Sequence, residues 1–263
     1  MIIIDKEKCV GCGNCAKDCF GYNLSMEHGK MEVKGNCFEC GHCIALCPVS
    51  AIHMDNCPDD EFEECSGQTE NMTSRQLLHT IKCRRSIRNY QKRTVEKELL
   101  TEILQAGRYT PTGGNAQDVR YTVVQDRLPE LIPQIFEGVR QGAEQFHKEK
   151  PDNPYSGTLN RIYEKYKNGQ DSLFFEAPVL LLISSDMPID GALAASNIEL
   201  MAATEGLGCL YSGFIELGLK NNPEALKLIQ IDAEKLRCCM LLGYPGITYI
   251  RSVPRKALQV KWM

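Results

Sequence analysis

Several large classes of protein are excluded by what this chain lacks. It has no apolar run near the length of a membrane span: the stretch at 179–183 is five residues long, against roughly twenty for a helix that crosses a bilayer. Met1, Ile2, Ile3 and Ile4 run straight into Asp5, without the basic start and long apolar stretch of a secretory signal. No basic stripe interleaved with aromatics appears, which argues against nucleic acid as a partner. No glycine fingerprint of a nicotinamide-binding domain is present either. Cys57, Cys65, Cys83, Cys209, Cys238 and Cys239 sit at irregular positions with no visible disulfide framework, and free thiols suit a reducing compartment. The expectation is a cytoplasmic protein with no membrane partner.

Cysteine itself is plentiful, with 14 in 263 residues. Cys9, Cys12 and Cys15 are each separated by two residues, and Cys19 follows after three more; Cys37, Cys40, Cys43 and Cys47 repeat the pattern and end in Pro48. Three thiolates at that spacing wrap a short turning backbone around one corner of a four-iron, four-sulfur cube. Two zinc sites are the alternative, but a zinc site needs only four ligands and gives no reason for two runs of four. The repeat resembles bacterial-type two-cluster ferredoxins, and that resemblance implies crossed ligation, with Cys9, Cys12, Cys15 and Cys47 on one cluster and Cys37, Cys40, Cys43 and Cys19 on the other. Phe20 stands where the first repeat would carry a proline, so the turn after Cys19 is less preorganised.

Charge divides the chain. Residues 1–70 carry a balance of −8 and residues 71–263 a balance of +4. Much of the acidity lies in Asp59, Asp60, Glu61, Glu63 and Glu64, which read as a solvated connection. We expect a 2[4Fe–4S] domain at 1–56, an acidic linker at 57–72 and a larger domain at 73–263.

In the larger domain, Thr73 and Ser74 are positioned to cap a helix running to about Lys82, and Leu99, Leu100, Ile103 and Leu104 predict another over 96–108. Strands are expected at 121–124, 179–184 and 236–242, and helices at 128–141 and 190–205. A polar, tyrosine-bearing stretch reaches about Gln170. The pattern is mixed α and β around a central sheet.

Four segments stand out for chemistry. Arg84, Arg85, Ser86 and Arg88 offer guanidinium groups and a hydroxyl suited to a phosphate monoester. Pro111, Thr112, Gly113, Gly114, Asn115, Ala116 and Gln117 form a turn whose glycines admit a planar ligand and whose amides both donate and accept. The third segment runs from Gly206 through Tyr211, Ser212, Gly213 and Phe214. The fourth pairs Gly243, Tyr244 and Pro245 with a basic tail containing Arg251, Arg255 and Lys256. Singly, each is equally a solvated face, a loop, a helix-to-strand connection or a basic tail.

In this order the segments resemble the nitroreductase family of FMN-dependent oxidoreductases over about 190 residues, and with the cysteine repeats the chain looks like a ferredoxin-fused member of the kind found in anaerobes. The resemblance implies an α+β fold, a central antiparallel-rich sheet with helices, and an obligate homodimer with FMN at the subunit interface. It implies that Arg84, Ser86 and Arg88, with Arg85 nearby, hold the FMN phosphate and ring edge. Pro111, Thr112, Gly113, Asn115 and Gln117 match the loop against the flavin, Tyr211, Ser212 and Gly213 the segment that presents a backbone amide to flavin N5, and Arg251, Arg255 and Lys256 the basic tail. Asp118 and Val119 replace the Pro and Trp of many relatives, Ser212 stands where some carry Glu, and Lys167 or Asn168 is the nearest candidate for the pyrimidine end.

The implied function is electron transfer from the 4Fe–4S clusters, loaded by a ferredoxin or other low-potential donor, to FMN and on to a nitroaromatic, quinone or flavin-like planar acceptor. Guanidinium groups near the flavin would raise its potential. Alternatives are an NAD(P)H-dependent nitroreductase that uses the clusters as exit, an electron-relay or redox-sensing protein, and a reductive dehalogenase-like enzyme. Residues 141–171, with Tyr155, Tyr163 and Tyr166, are read either as a substrate lid or as surface helices. His28, His42, His53, His79 and His147 lie outside the flavin segments and read as surface or packing residues.

Overall fold

The computed structural model describes every residue except 36, 56, 58–62, 64, 66–71, 150 and 152–153. The expected acidic linker therefore lies mostly outside the described residues. Contacts divide the chain into two compact units, Met1–Asn71 with Gly113–Ala116, and Met72–Thr112 with Gln117–Met263.

The first unit is built from two small antiparallel ribbons and two short helices. Strand β1 (Ile2–Ile4) pairs with β4 (Ile52–Met54), and β2 (Leu24–Glu27) pairs with β3 (Lys30–Val33). Helices α1 (Asn14–Asp18) and α2 (His42–Ala45) each follow a glycine in the left-handed region, Gly13 and Gly41. Its buried core is Ile2, Met31 and Ile52 together with two of the repeat cysteines, Cys15 and Cys43.

The second unit is a three-layer α+β sandwich. Its sheet is antiparallel throughout, in the order β5 (Arg120–Val124), β6 (Val179–Ser184), β8 (Leu236–Gly243), β7 (Gly208–Tyr211). Period-2 alternation sorts the side chains. Val179, Leu181, Ile183, Met240 and Leu242 face a core shared with α4 (Lys97–Arg108) and α7 (Pro188–Thr204). Leu180, Leu182, Cys239 and Leu241 face the opposite core, filled from α5 (Leu128–Glu149), α6 (Pro154–Lys167), α8 (Gly213–Asn221) and α9 (Pro223–Ile229). Helices α5 and α8 cross closely because Gly138 faces the carbonyl of Gly218 and Gly218 faces that of Ile135, and a methyl group on either would collide there.

Helix α3 (Ser74–Cys83) starts on a complete capping box: Gln76 N–H donates to Thr73 Oγ1 (3.2 Å), and Thr73 N–H donates to Gln76 Oε1 (2.8 Å). It buries no residue fully, and Leu77, Leu78 and Ile81 are exposed.

Three details differ from the sequence expectations. Helix α5 continues to Glu149 rather than ending near Gln141, its buried side running on through Gly142 and Ala143 to half-buried Phe146. The tyrosine-bearing stretch is a second helix, α6, anchored by buried Leu159 and Ile162, and Tyr166 stacks on Phe136 at 3.9 Å within the core. The helix-to-strand connection after Gly206 is itself strand β7, the sheet edge that leads toward the arginine segment.

Candidate functional site

Helix α3 ends where Arg84 N–H donates to Thr80 O (2.9 Å) and the chain turns extended. It then runs along β7: Ser86 forms a parallel bridge with Cys209, and Ile87 N–H donates to Cys209 O (2.9 Å). Ile87 is buried directly against Gly208, where any side chain would collide with it. Further on, Tyr90 bridges Pro245, its hydroxyl donates to Leu241 O (3.3 Å), and Gly246 N–H donates to Asn89 O (2.8 Å). The first, third and fourth segments, far apart in the chain, are thus laced together by backbone hydrogen bonds.

They border an open cavity of about 550 Å³ whose wall includes His79, Cys83, Arg84, Arg85, Glu199, Cys209 and Tyr244. Arg84 Nε and Arg85 Nε are buried atoms with no hydrogen-bond partner. Guanidinium donors with no hydrogen bond are what a phosphate would satisfy. Arg84 Nε lies 3.2 Å from Glu199 Oε2, close enough for an ion pair but not aligned as a hydrogen bond. Glu199 projects from α7 and its side chain is only 8% exposed. Burial pushes its carboxyl above the usual carboxylate range, while Arg84 and a hydrogen bond from Tyr211 act in the opposite sense. Burial likewise pushes up Cys209.

Ser212 is buried and is the N-cap of α8: its N–H donates to Cys239 O (2.9 Å), and its Oγ accepts from Ile215 N–H (3.3 Å). Gly213 opens the helix. Beyond it Phe214 lies 5.6 Å from the Tyr155 ring, which in turn lies 5.9 Å from Phe146.

The remaining expected residues are not gathered on the cavity wall. Arg88 is exposed, as are Arg251, Arg255 and Lys256, although the root of the tail, Ile247, Thr248 and Tyr249, does line it. In the second segment Pro111, Gly113 and Gln117 are exposed, and Gln117 N–H donates to Thr112 Oγ1 (2.9 Å). Gly114, Asn115 and Gln117 take positive φ of 59, 55 and 47°. Within the first unit Asn115 Nδ2 donates to the carbonyls of Phe38 and Glu39, each at 3.0 Å.

Among the repeat cysteines, Cys9, Cys12, Cys15 and Cys47 line one small cavity. Cys12 and Cys47 both act on the charge of Cys15, whose thiol is pushed up first by burial. Cys43 is pushed up to about 11 by burial and then by Cys37, with Cys40 also near. Backbone N–H groups of Asn23, Glu39 and Ala51 point at Cys19, Cys37 and Cys47 sulfurs at 3.4, 3.2 and 3.2 Å. Such donors stabilise sulfur-bound negative charge.

Sequence reading missed Glu199 and set His79 aside. The signal for Glu199 is a carboxylate set among Ala195, Ile198 and Ala202 on the buried side of α7. His79 lies one turn before Cys83, with Nε2 3.6 Å from the thiol sulfur, and lines the arginine cavity.

The chain thus joins a double cysteine repeat to a three-layer α+β unit whose cavity is walled by Arg84 and Arg85. Residues 81–244 match the nitroreductase family model, and residues 1–48 match that of the 4Fe–4S dicluster domain. The chain belongs to the nitroreductase family. It is 26% identical over 182 residues to a Methanothermobacter thermautotrophicus protein provisionally named NADH dehydrogenase/NAD(P)H nitroreductase, covering 65% of this chain and 78% of that one. A Desulfitobacterium hafniense nitroreductase solved with bound FMN superimposes with a TM-score of 0.55 at 25% identity, covering 70% of this chain and 98% of the other. A Bacteroides fragilis nitroreductase, also with bound FMN, superimposes with a TM-score of 0.55 at 22% identity, covering 71% and 99%, and shares the fold. Among the described residues no helix is long and apolar enough to cross a membrane.

Proposed function

We propose that this chain is an FMN-dependent oxidoreductase that takes electrons from a low-potential donor through two 4Fe–4S clusters and delivers them to a planar organic acceptor, a nitroaromatic, quinone or flavin. The observation that carries the reading is the pairing, in one chain, of the double cysteine repeat with a cavity walled by Arg84 and Arg85, whose buried Nε atoms make no hydrogen bond. Bound FMN would supply two-electron storage and hydride delivery, and the clusters would supply single-electron transfer.

The chain's own residues have distinct tasks. Arg84 and Arg85 hold the phosphate, and their positive charge balances its negative charge. Ser86 and Arg88 extend the contact along the segment beside β7, and Arg251, Arg255 and Lys256 reach it from the tail. Ser212 fixes the start of α8, so that Gly213 presents its backbone without a side chain in the way. Pro111, Thr112, Gly113, Asn115 and Gln117 form the opposing loop. The rings of Phe146, Tyr155 and Phe214 offer a stacking surface beside Gly213 for a flat acceptor. Cys9, Cys12, Cys15 and Cys47 hold one cluster, and Cys37, Cys40, Cys43 and Cys19 the other. Exposed Leu77, Leu78 and Ile81 on α3, and Ile250, Leu258 and Trp262 in the tail, are apolar surface that a second copy would cover in a homodimer.

A second reading, in which a nicotinamide reduces FMN and the clusters carry electrons onward, draws support from the name of the Methanothermobacter relative. Anaerobic turnover of nitroaromatics, quinones and free flavins, driven separately by reduced ferredoxin, NADPH and NADH, distinguishes the two. Turnover with ferredoxin alone supports cluster input. Turnover only with a nicotinamide overturns it, and no turnover with any donor indicates a relay to a protein partner.

A further inference from the structure

The cationic cavity contains an acid. An isolated phosphate cradle is weakened by a carboxylate beside its arginine, since two anions compete for one guanidinium. Glu199 nonetheless sits in the wall with Oε2 3.2 Å from Arg84 Nε. The Arg84 side chain is 32% exposed, so one carboxylate in the protein and one anion in the cavity have access to the same group.

The groups facing Glu199 are few. Arg84 reaches it from the segment after α3, Tyr211 and Cys209 from β7, and Cys238 from β8. Burial pushes the three uncharged neighbours Tyr211, Cys209 and Cys238 upward, Cys238 to about 12, so all three stay protonated near neutrality. Arg84 is therefore the one cation facing Glu199 among these groups. A carboxylate this buried cannot lose that cation and stay charged without a large desolvation cost.

We propose that Glu199 is a proton-linked positioning residue of the flavin phosphate cradle: it holds the Arg84 guanidinium in the cavity wall, and it takes up one proton when the phosphate claims that guanidinium. The inference rests on the reading of Arg84 as the phosphate ligand. Binding that takes up a proton weakens as pH rises, by up to about tenfold per pH unit when the linkage is complete. The phosphate's own second ionisation, near pH 6, pulls the other way. Glu199→Gln keeps the shape and the acceptor oxygen but cannot take up the proton.

The test measures FMN affinity by flavin fluorescence in the full-length, cluster-replete protein after removal of flavin, between about pH 5.5 and pH 8. Wild type, Glu199→Gln and Arg84→Ala are compared. The wild-type Kd divided by that of Glu199→Gln cancels what the phosphate and His79 contribute equally to both proteins. We expect that ratio to rise at least about fivefold across the range. A ratio that stays flat, or a Glu199→Gln protein that loses FMN by the same factor at every pH, overturns the proposal. If Arg84→Ala binds FMN as well as wild type does, the phosphate reading itself fails, whatever Glu199 does. Should the glutamine variant not fold, calorimetry of wild type near pH 8 in buffers of different ionisation enthalpy reads the proton directly. Uptake on binding supports the linkage, and no uptake contradicts it.

Discussion

The two compact units solve the problem of stability in opposite ways. In the sheet unit, Val179, Leu180, Leu181, Leu182 and Ile183 are wholly buried, and both faces of the sheet carry a continuous apolar core. In the cysteine unit the buried core is three aliphatic side chains plus Cys15 and Cys43, two of the residues assigned to hold clusters. Two-stranded ribbons are marginal without further support, and domains this small usually rely on a metal or a crosslink. One unit therefore has a core largely independent of its proposed site, whereas in the other the proposed cluster ligands are also part of the core.

That contrast is broken most directly by removing iron. Chelation under reducing conditions should abolish hydrogen-exchange protection across β1 to β4 and leave β6 and β8 protected. Retained protection in the small ribbons would show that their core stands without clusters. The next largest effect is expected in the sheet: Leu181→Ala, at a fully buried position, should lower stability by about 2–5 kcal/mol in denaturant unfolding and leave cluster absorbance unchanged.

The same contrast governs what was legible in the sequence. The iron–sulfur character of residues 1–48 was legible from the cysteine spacing, because each run of cysteines is local and its chemistry sets its spacing. Strands β6 and β8 were legible from their aliphatic runs, and α3 from Thr73. Helix α6 was legible only as one of two readings, a lid or surface helices, since only Leu159 and Ile162 mark its apolar buried side between lysines and tyrosines. Strand β7 is four residues long and begins with a glycine, a composition that reads as a connection. The arginine cavity is assembled by hydrogen bonds between segments more than a hundred residues apart, so its residues were legible but its wall was not. Glu199 belongs to that wall through helix packing, which no local motif announces.

Smaller effects sharpen the comparison within the sheet unit. Helix α3 buries no side chain fully and depends on its cap, so Thr73→Ala should cost about 1 kcal/mol and fray the helix that ends at Arg84. Faster amide exchange at the start of α3, with β6 unchanged, would check it. The smallest effect concerns Glu96, whose carboxyl is held down at about 2 by the Tyr244 hydroxyl (2.7 Å), with help from Arg93. A depressed folded-state value stabilises above the unfolded carboxyl range and fades as pH falls toward 2. Glu96→Gln should accordingly flatten the acid limb of the stability curve below about pH 4, a region measured by urea unfolding across pH.

The central claim is that electrons reach the flavin through the clusters. Stopped-flow mixing of the full, cluster- and FMN-replete protein with reduced ferredoxin, under anaerobic conditions, tests it most directly. Cluster absorbance should bleach first and flavin absorbance follow, with the flavin phase keeping pace with cluster reoxidation. Flavin bleaching that precedes the clusters, or that occurs only with NADPH or NADH, would contradict it.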